Sequence, residues 1–182
     1  NPENPELGSR TAAFTRELYI EREDFMEEPV KKFFRLAPGK EVRLKGAYFV
    51  TCTDVIKDES GNIIEVHCTY DPATKSGSGF EGRKVKGTLH WVSATEHVKA
   101  TVRLYDYMML DNPDDPNGDM IMNPNSLEIK ENVIIESSIA NAKPGDRYQF
   151  MRNGYYIVDT KDSKPSQLVF NRIVPLKSSF KL

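Results

Sequence analysis

The sequence lacks any run of eighteen apolar residues, which is about the length that a membrane-spanning helix needs. It also lacks a secretion signal, because its start, "NPENPELGSR", is polar and rich in proline. These absences predict a protein without a membrane partner. The first residue is Asn1 rather than an initiator Met, which suggests a piece of a longer chain.

Cysteine and histidine are scarce, with two and three residues. Two cysteines do not make a disulfide framework, and together with three histidines they do not form a metal-site pattern. Cys52 and Cys68 flank the turn-rich "KDESGN", so a hairpin centred near Ser60 would place the two thiols opposite each other. We interpret both as reduced core residues of a cytoplasmic protein, with a cross-strand disulfide as the alternative.

Sequence motifs of catalysis are absent as well. There is no G-x-S-x-G, no P-loop and no G-x-G-x-x-G after a strand. The loop "DNPDDPNGD" lacks the ordered oxygen ligands and the terminal Glu of a calcium loop. The sequence therefore predicts no catalytic residue, no metal site and no cofactor in this chain.

What the sequence does have is a separation of charge along its 182 residues. The net charge is −2, yet residues 31–45 hold six cations and one anion, and residues 105–119 hold five Asp and no cation. A nearly neutral total thus hides a basic patch and an acidic loop. Two faces that are merely solvated would give the same pattern, and an acidic protein-interaction loop is a further alternative.

The pattern of short β-branched and aromatic segments between turn signals predicts an all-β protein. Nine strands in a chain of this length suit two consecutive small closed β-barrels, over residues 10–98 and 99–182, with short helical turns in "EREDFMEEPVKKFF" and "SSIANAKPGD". The predicted strands are Phe14–Ile20, Val42–Val55, Ile63–Tyr70, Val85–Val92, His97–Tyr105, Ser126–Ile135, Arg147–Arg152, Tyr155–Thr160 and Leu168–Val174. Asn153-Gly154 predicts a two-residue hairpin turn between the seventh and eighth of these strands.

Two basic segments carry the features of a nucleic-acid surface. In "GKEVRLKGAYFV", strand alternation places Arg43 and Lys45 on one face. In "GRKVKGTLHW", Lys84 and Lys86 share a face and could follow a line of phosphates. The stretch "KKFFRL" between Lys31 and Leu36 interleaves cations with two aromatic rings on which unpaired bases could stack. Binding of single-stranded RNA is therefore one reading, beside a plain solvated surface.

Six fragments occur in order along nearly the whole chain: "RELYIEREDF", "GKEVRLKGAYFV", "CTYD", "GRKVKGTLHWVSA", "VRLYDYMM" and "VFNRIVPL". Together they resemble the C-terminal anticodon-binding region of glutaminyl-tRNA synthetases. The resemblance implies two closed, ribosomal-protein-like β-barrels with strand exchange between them. It also implies a parent class I ligase, cytoplasmic and monomeric, that uses ATP and Mg²⁺ to charge tRNA(Gln). The HIGH-type and KMSKS-type signatures of its catalytic domain are absent here, so this fragment would be non-catalytic.

The resemblance also assigns roles in the binding of the tRNA(Gln) anticodon loop. Arg43 and Lys45 correspond to the basic pair that holds the first anticodon base. Arg35 corresponds to the arginine that reads the third base, a guanine, whose O6 and N7 acceptors suit a guanidinium fork. Gln149 corresponds to a glutamine of the middle, uridine pocket, and Arg152 to another arginine near the third base.

Four positions depart from the family pattern. Lys32 stands where the family has a second glutamine, Phe34 where it has a lysine, and Met151 where it has a glutamate. Lys45 replaces an arginine. Two alternatives remain: the related region of an archaeal or eukaryotic-type glutamyl-tRNA synthetase, and a free-standing barrel protein that binds ribosomal RNA.

Overall fold

A computed structural model describes Asn4, Glu6 and residues 8–115 and 117–176, and its regular structure is almost entirely β-strand. The predicted all-β class is confirmed. Short 3₁₀ turns lie at Arg22–Asp24, Pro72–Thr74 and Ser137–Ile139. The first and third fall in the two segments for which helical turns were predicted. In the described part of the chain, no helix has the length and apolar character needed to cross a membrane.

The chain divides into two compact units. The first unit spans Ala13–Thr95, and the second joins the described residues of 1–12 to those of 96–182. An ion pair between Arg10 and Glu136 connects the two stretches of the second unit.

The first unit contains a four-stranded sheet and a separate strand pair. The strands of this unit are β1 (Leu18–Tyr19), β2 (Glu41–Leu44), β3 (Phe49–Lys57), β4 (Ile63–Asp71), β5 (Thr88–Leu89) and β6 (Val92–Ser93). The sheet has the order β4-β3-β2-β5, in which β2 and β5 run parallel and the other neighbours antiparallel, and β1 pairs with β6.

The core of the first unit lies on one face of this sheet. Val42 and Leu44 are 1% and 3% exposed, which confirms that they turn inward, while Arg43 between them is half-buried. The prediction of one strand over Val42–Val55 is wrong, because a turn at Lys45-Gly46 separates β2 from β3. Gly46 has a φ of 72°, a backbone conformation that costs glycine little, and this explains the break.

The β3–β4 hairpin places Cys52 directly opposite Cys68, as predicted. Both thiols are free, and burial raises the pKa of the Cys52 thiol. Cys52 belongs to the core, but Cys68 is exposed, so the prediction that both are core residues is wrong for Cys68. The reason is that β4 turns only part of its length towards the core.

The second unit contains a five-stranded sheet and a short strand pair. Its strands are β7 (His97–Tyr105), β8 (Met109–Leu110), β9 (Ile121–Met122), β10 (Leu127–Glu136), β11 (Arg147–Phe150), β12 (Gly154–Val158) and β13 (Leu168–Pro175). The sheet has the order β10-β7-β13-β12-β11, in which β13 runs parallel to β7 and the other neighbours are antiparallel, and β8 pairs with β9. Its core contains the fully buried Phe170 and Val158.

The predicted and observed strands differ most in their length. β7 has the predicted bounds, whereas the predicted Phe14–Ile20 shrinks to β1 and the predicted Val85–Val92 breaks into β5 and β6. The β8–β9 pair was not predicted, because each of its strands has only two residues and their apolar side chains are exposed. Alternation of side chains indicates an extended backbone. The backbone forms a β-ladder only where a neighbouring strand provides hydrogen-bond partners.

Candidate nucleic-acid interface

Seven of the ten residues predicted to bind RNA lie in the first unit, and all seven are exposed or half-buried. They fall on three segments: the loop before β2, the end of β2, and the segment that leads into β5. They are Lys32, Phe34, Arg35, Arg43, Lys45, Lys84 and Lys86.

Phe34 and Lys86 come from different segments and form one contact. The Lys86 Nζ lies 4.9 Å from the centroid of the Phe34 ring, which is 51% exposed. Gly87 permits this approach, because a Cβ there would lie 2.4 Å from the carbonyl oxygen of Phe34. An exposed ring beside an ammonium group offers a stacking face and a charge at the same place.

Arg35 is held in position by its own neighbours. Its Nη1 donates a hydrogen bond of 2.9 Å to the carbonyl oxygen of Glu23, and its Nε lies 3.4 Å from the Oδ1 of Asp24. Asp24 is fully buried at the end of the first 3₁₀ turn, whereas the Arg35 side chain is 36% exposed. These contacts involve Nη1 and Nε and hold the Arg35 guanidinium in place.

A cleft of about 720 Å³ opens beside Arg35. Lys32 lies on its wall, in a turn where it has a φ of 69°. The lining residues are Arg22, Glu23, Phe25, Met26, Lys32, Phe33, Phe34 and Arg35. The cleft combines aromatic rings with cations, which is the composition that suits an unstacked nucleotide.

Arg43 projects from β2 over the ring of Phe49, its direct neighbour across the β2–β3 ladder. The guanidinium carbon lies 4.4 Å from the ring centroid, and Nη1 donates a hydrogen bond of 3.4 Å to the Oγ of Ser76. A second cleft, of about 550 Å³, lies at this position. It is lined by Arg43, Phe80, Glu81, Arg83, Lys84 and Val85.

Arg83 and Phe80 were missed by the sequence prediction. Arg83 binds the carboxylates of Glu41 and Asp71, and its hydrogen bonds lower the pKa of both carboxyls. Its guanidinium lies 5.4 Å from the Phe80 ring centroid. The sequence offered one indication of Arg83, its position directly before Lys84 in "GRKVKGTLHW". Arg83 was missed because strand alternation placed only Lys84 and Lys86 on the face expected to contact RNA.

Lys45 lies one residue beyond the end of β2, in the turn that leads to β3. The prediction that it continues the strand is therefore wrong. Its backbone is nevertheless fixed, since its N–H donates to the carbonyl oxygen of Leu89 and its own carbonyl oxygen accepts from the indole N–H of Trp91 at 3.0 Å. The exposed Lys45 side chain thus starts from a rigid point.

The other three predicted residues belong to the β11–β12 hairpin of the second unit. Gln149 is exposed in β11, and Met151 and Arg152 lie in the connecting loop. The predicted two-residue turn at Asn153-Gly154 is wrong: the loop is Met151–Asn153, with Arg152 at a φ of 67°, and Gly154 already pairs with Phe150.

Gly154 has a packing role instead of a turn role. A Cβ at this position would lie 2.6 Å from the carbonyl oxygen of Val174 in the neighbouring β13. The glycine therefore permits close approach of two strands rather than a turn. Arg152 is the central residue of the three-residue loop and lies at the tip of the hairpin.

The acidic loop between β8 and β9 carries four aspartates. Asp111, Asp114, Asp115 and Asp119 are exposed in their loop. Within residues 8–115 and 117–176, no three His, Cys, Asp or Glu side chains are grouped to hold a metal ion.

Two family models match the chain, over residues 1–71 and residues 88–159. Both are described as tRNA synthetases class I (E and Q), anti-codon binding domain, and together they cover more than half of the 182 residues. The chain belongs to this family of anticodon-binding domains. Arg35, Arg43 and Lys45 fall within the first match and Gln149 within the second, while Lys84 and Lys86 lie between the two.

Among curated proteins, the chain is similar to glutamine–tRNA ligases. It is 57% identical over 185 residues to that of Clostridium perfringens and 56% identical over 184 residues to that of Clostridioides difficile, in each case over 100% of this chain and 33% of the relative. Identity to the glutamine–tRNA ligase of Rhodopirellula baltica is 51%, over 99% of this chain and 30% of the relative. The chain spans about a third of the length of these relatives.

Proposed function

We propose that this chain is the anticodon-binding region of a glutamine–tRNA ligase and that it binds the anticodon loop of tRNA(Gln). The observation that carries the proposal is the match of both anticodon-binding families, together with 56–57% identity to glutamine–tRNA ligases over the whole of this chain. These relatives are glutamine–tRNA ligases, which favours the glutamine enzyme over the glutamate enzyme and over a free-standing ribosomal RNA-binding protein.

In the proposed complex, the first unit holds two base-binding positions. Arg43 and Lys45 bind the first anticodon base, with Arg43 supported by the Phe49 ring at 4.4 Å. Arg35 reads the third base, a guanine, with a guanidinium that Asp24 and Glu23 already hold in place. A fork fixed before binding loses little side-chain entropy when it engages O6 and N7.

The remaining predicted residues have supporting roles in this proposal. Lys84 and Lys86 contact phosphates, and Phe34 provides a stacking face. Gln149 of the second unit binds the middle uridine through an amide that can donate and accept. The proposal also includes three residues that lie near the anticodon bases in the complex: Lys32, Met151 and Arg152.

The proposed parent chain is a monomeric cytoplasmic enzyme that esterifies glutamine to tRNA(Gln). Its catalytic domain, in the same chain, uses ATP and Mg²⁺, and the region described here contributes recognition of the tRNA without chemistry. Closure of the two sheets into small β-barrels, with strand exchange between them, is part of the proposed architecture. The sheet of five strands in the second unit and that of four in the first are of a size that suits it.

Filter binding of the chain to anticodon stem-loops tests the function. Loops whose third anticodon base is G or C are compared at two salt concentrations. We expect the G loop to bind more tightly by about 5- to 150-fold, since one bidentate arginine–guanine contact discriminates by ~1–3 kcal/mol. Affinity for both loops should fall as salt rises.

Lys57→Ala is the matched control for loss of one cation. Lys57 lies at the end of β3, pairs with Glu27 at 2.8 Å and is not among the lining residues of either cleft. This variant should bind the stem-loops with the same affinity as the unsubstituted chain and with the same preference for the G loop over the C loop. Equal affinity for the G and C loops, or affinity that does not depend on salt, would overturn the proposed function.

A further inference from the structure

Phe49 is buried on the face of the sheet that lies opposite the core of the first unit. Phe49 and Val50 are consecutive residues of β3 and point to opposite faces, yet they are only 1% and 6% exposed. Val50 packs in the apolar core. The ring of Phe49 is instead flanked by two guanidinium groups, with Arg43 at 4.4 Å and Arg83 at 5.3 Å from its centroid.

These two arginines have different partners. The Nε of Arg83 donates a hydrogen bond of 2.8 Å to Glu41, and its Nη2 donates one of 2.8 Å to Asp71 and another to Glu41. Arg83 therefore engages two carboxylates with one fork. Among the described residues, the polar partner of Arg43 is the neutral hydroxyl of Ser76.

Glu41 lies close enough to Arg43 that it could pair with Arg43 instead of Arg83. Glu41 and Arg43 are two residues apart in β2, so their side chains leave the same face of the sheet, about 6.6 Å apart along the strand. At that spacing a glutamate and an arginine reach each other easily. Glu41 nevertheless pairs with Arg83, which comes from another segment.

We propose that Arg83 is a positioning residue for RNA binding, which keeps Glu41 and Asp71 away from Arg43 so that the charge of Arg43 stays available in the cleft of about 550 Å³. This proposal rests on the proposed function of the chain, and Arg83 acts through Arg43. With both arginines present, the cluster of two cations and two carboxylates has a formal charge of zero. Loss of Arg83 would change it to −1 and leave Glu41 free to pair with Arg43.

RNA binding tests the proposal with a rescue experiment. Arg83→Gln should weaken binding of the cognate anticodon stem-loop about tenfold, because Glu41 then competes with the RNA for Arg43. Glu41→Gln alone should stay within about twofold of the unsubstituted chain. The double variant R83Q/E41Q should recover to within about threefold, since the competing carboxylate is gone. A double variant as weak as R83Q would overturn the proposal.

A second measurement needs no RNA. The pKa of the Glu41 carboxyl, followed by carbon NMR, should stay below its usual value of about 4.3 in R83Q, because Arg43 takes over the pairing. It should rise to that value in the double variant R43Q/R83Q. An ordinary pKa for Glu41 in R83Q itself would overturn the proposal.

Arg83→Lys keeps the cation without the fork and is the second variant if R83Q does not fold. Addition of E41Q to R83K should then raise the affinity for the stem-loop, and an unchanged affinity would overturn the proposal. If the unsubstituted chain fails to bind the stem-loop, the proposed function fails. The Glu41 titration still decides whether Arg83 keeps the carboxylates from Arg43.

Discussion

Replacement of Arg35 should affect stability and base selection together, because one guanidinium serves both. Asp24 is fully buried and lies 3.4 Å from the Nε of Arg35, so Arg35→Ala removes the ion pair of a buried carboxylate. Removal of one member of a fully buried pair costs ~3–5 kcal/mol. The Arg35 side chain is 36% exposed, so we expect a smaller loss of about 1–2 kcal/mol in the free energy of unfolding.

The same variant should lose about 1–3 kcal/mol of binding free energy for the stem-loop with a third-position guanine, and much less for loops with the other three bases. Urea denaturation measures the first effect, and fluorescence anisotropy with four loops that differ at the third base measures the second. The two effects are separable because only the second depends on the identity of the base.

Asp24→Asn is the control that separates positioning from contact. It weakens the hold on Arg35 without removing the fork, so it should reduce affinity while the preference for guanine persists. Equal losses for all four loops with Arg35→Ala would refute the reasoning. In that case Arg35 would act as a general cation or as a structural residue only.

Three further predictions concern charge, packing and pH. Lys84→Ala should weaken binding of all stem-loops alike and reduce the slope of log K against log salt by about one, as measured by filter binding over a salt series. Gly87→Ala should lower the free energy of unfolding by about 1–3 kcal/mol in urea denaturation, because its Cβ would lie 2.4 Å from a backbone oxygen of Phe34, while the exposed neighbour Thr88→Ala should not. Backbone and side-chain hydrogen bonds lower the pKa of Asp159 to about 2, so the folded state favours its carboxylate. The stabilisation, roughly 1 kcal/mol after allowance for solvent screening, should be present above pH 4 and disappear between pH 4 and pH 2, and Asp159→Asn should lack this step in thermal unfolding.

The sequence by itself determined the class of the fold and most of the long strands. β7 is read directly from its alternating side chains, because side chains of period two can bury one face of a sheet. Local sequence also determined the basic character of residues 31–45, since formal charge depends on no contact. The likeness of six fragments to a known family supplied the function that we propose.

Tertiary structure decided which cations are available and where strands end. Arg43 and Arg83 look alike in the sequence, but only packing brings Glu41 and Asp71 to Arg83. Lys86 and Phe34 meet only because Gly87 allows two segments to touch, which no local pattern encodes. The physical reason is one of range: propensity and alternation act between near neighbours in the chain, whereas the Arg83–Glu41 ion pair joins residues 42 positions apart.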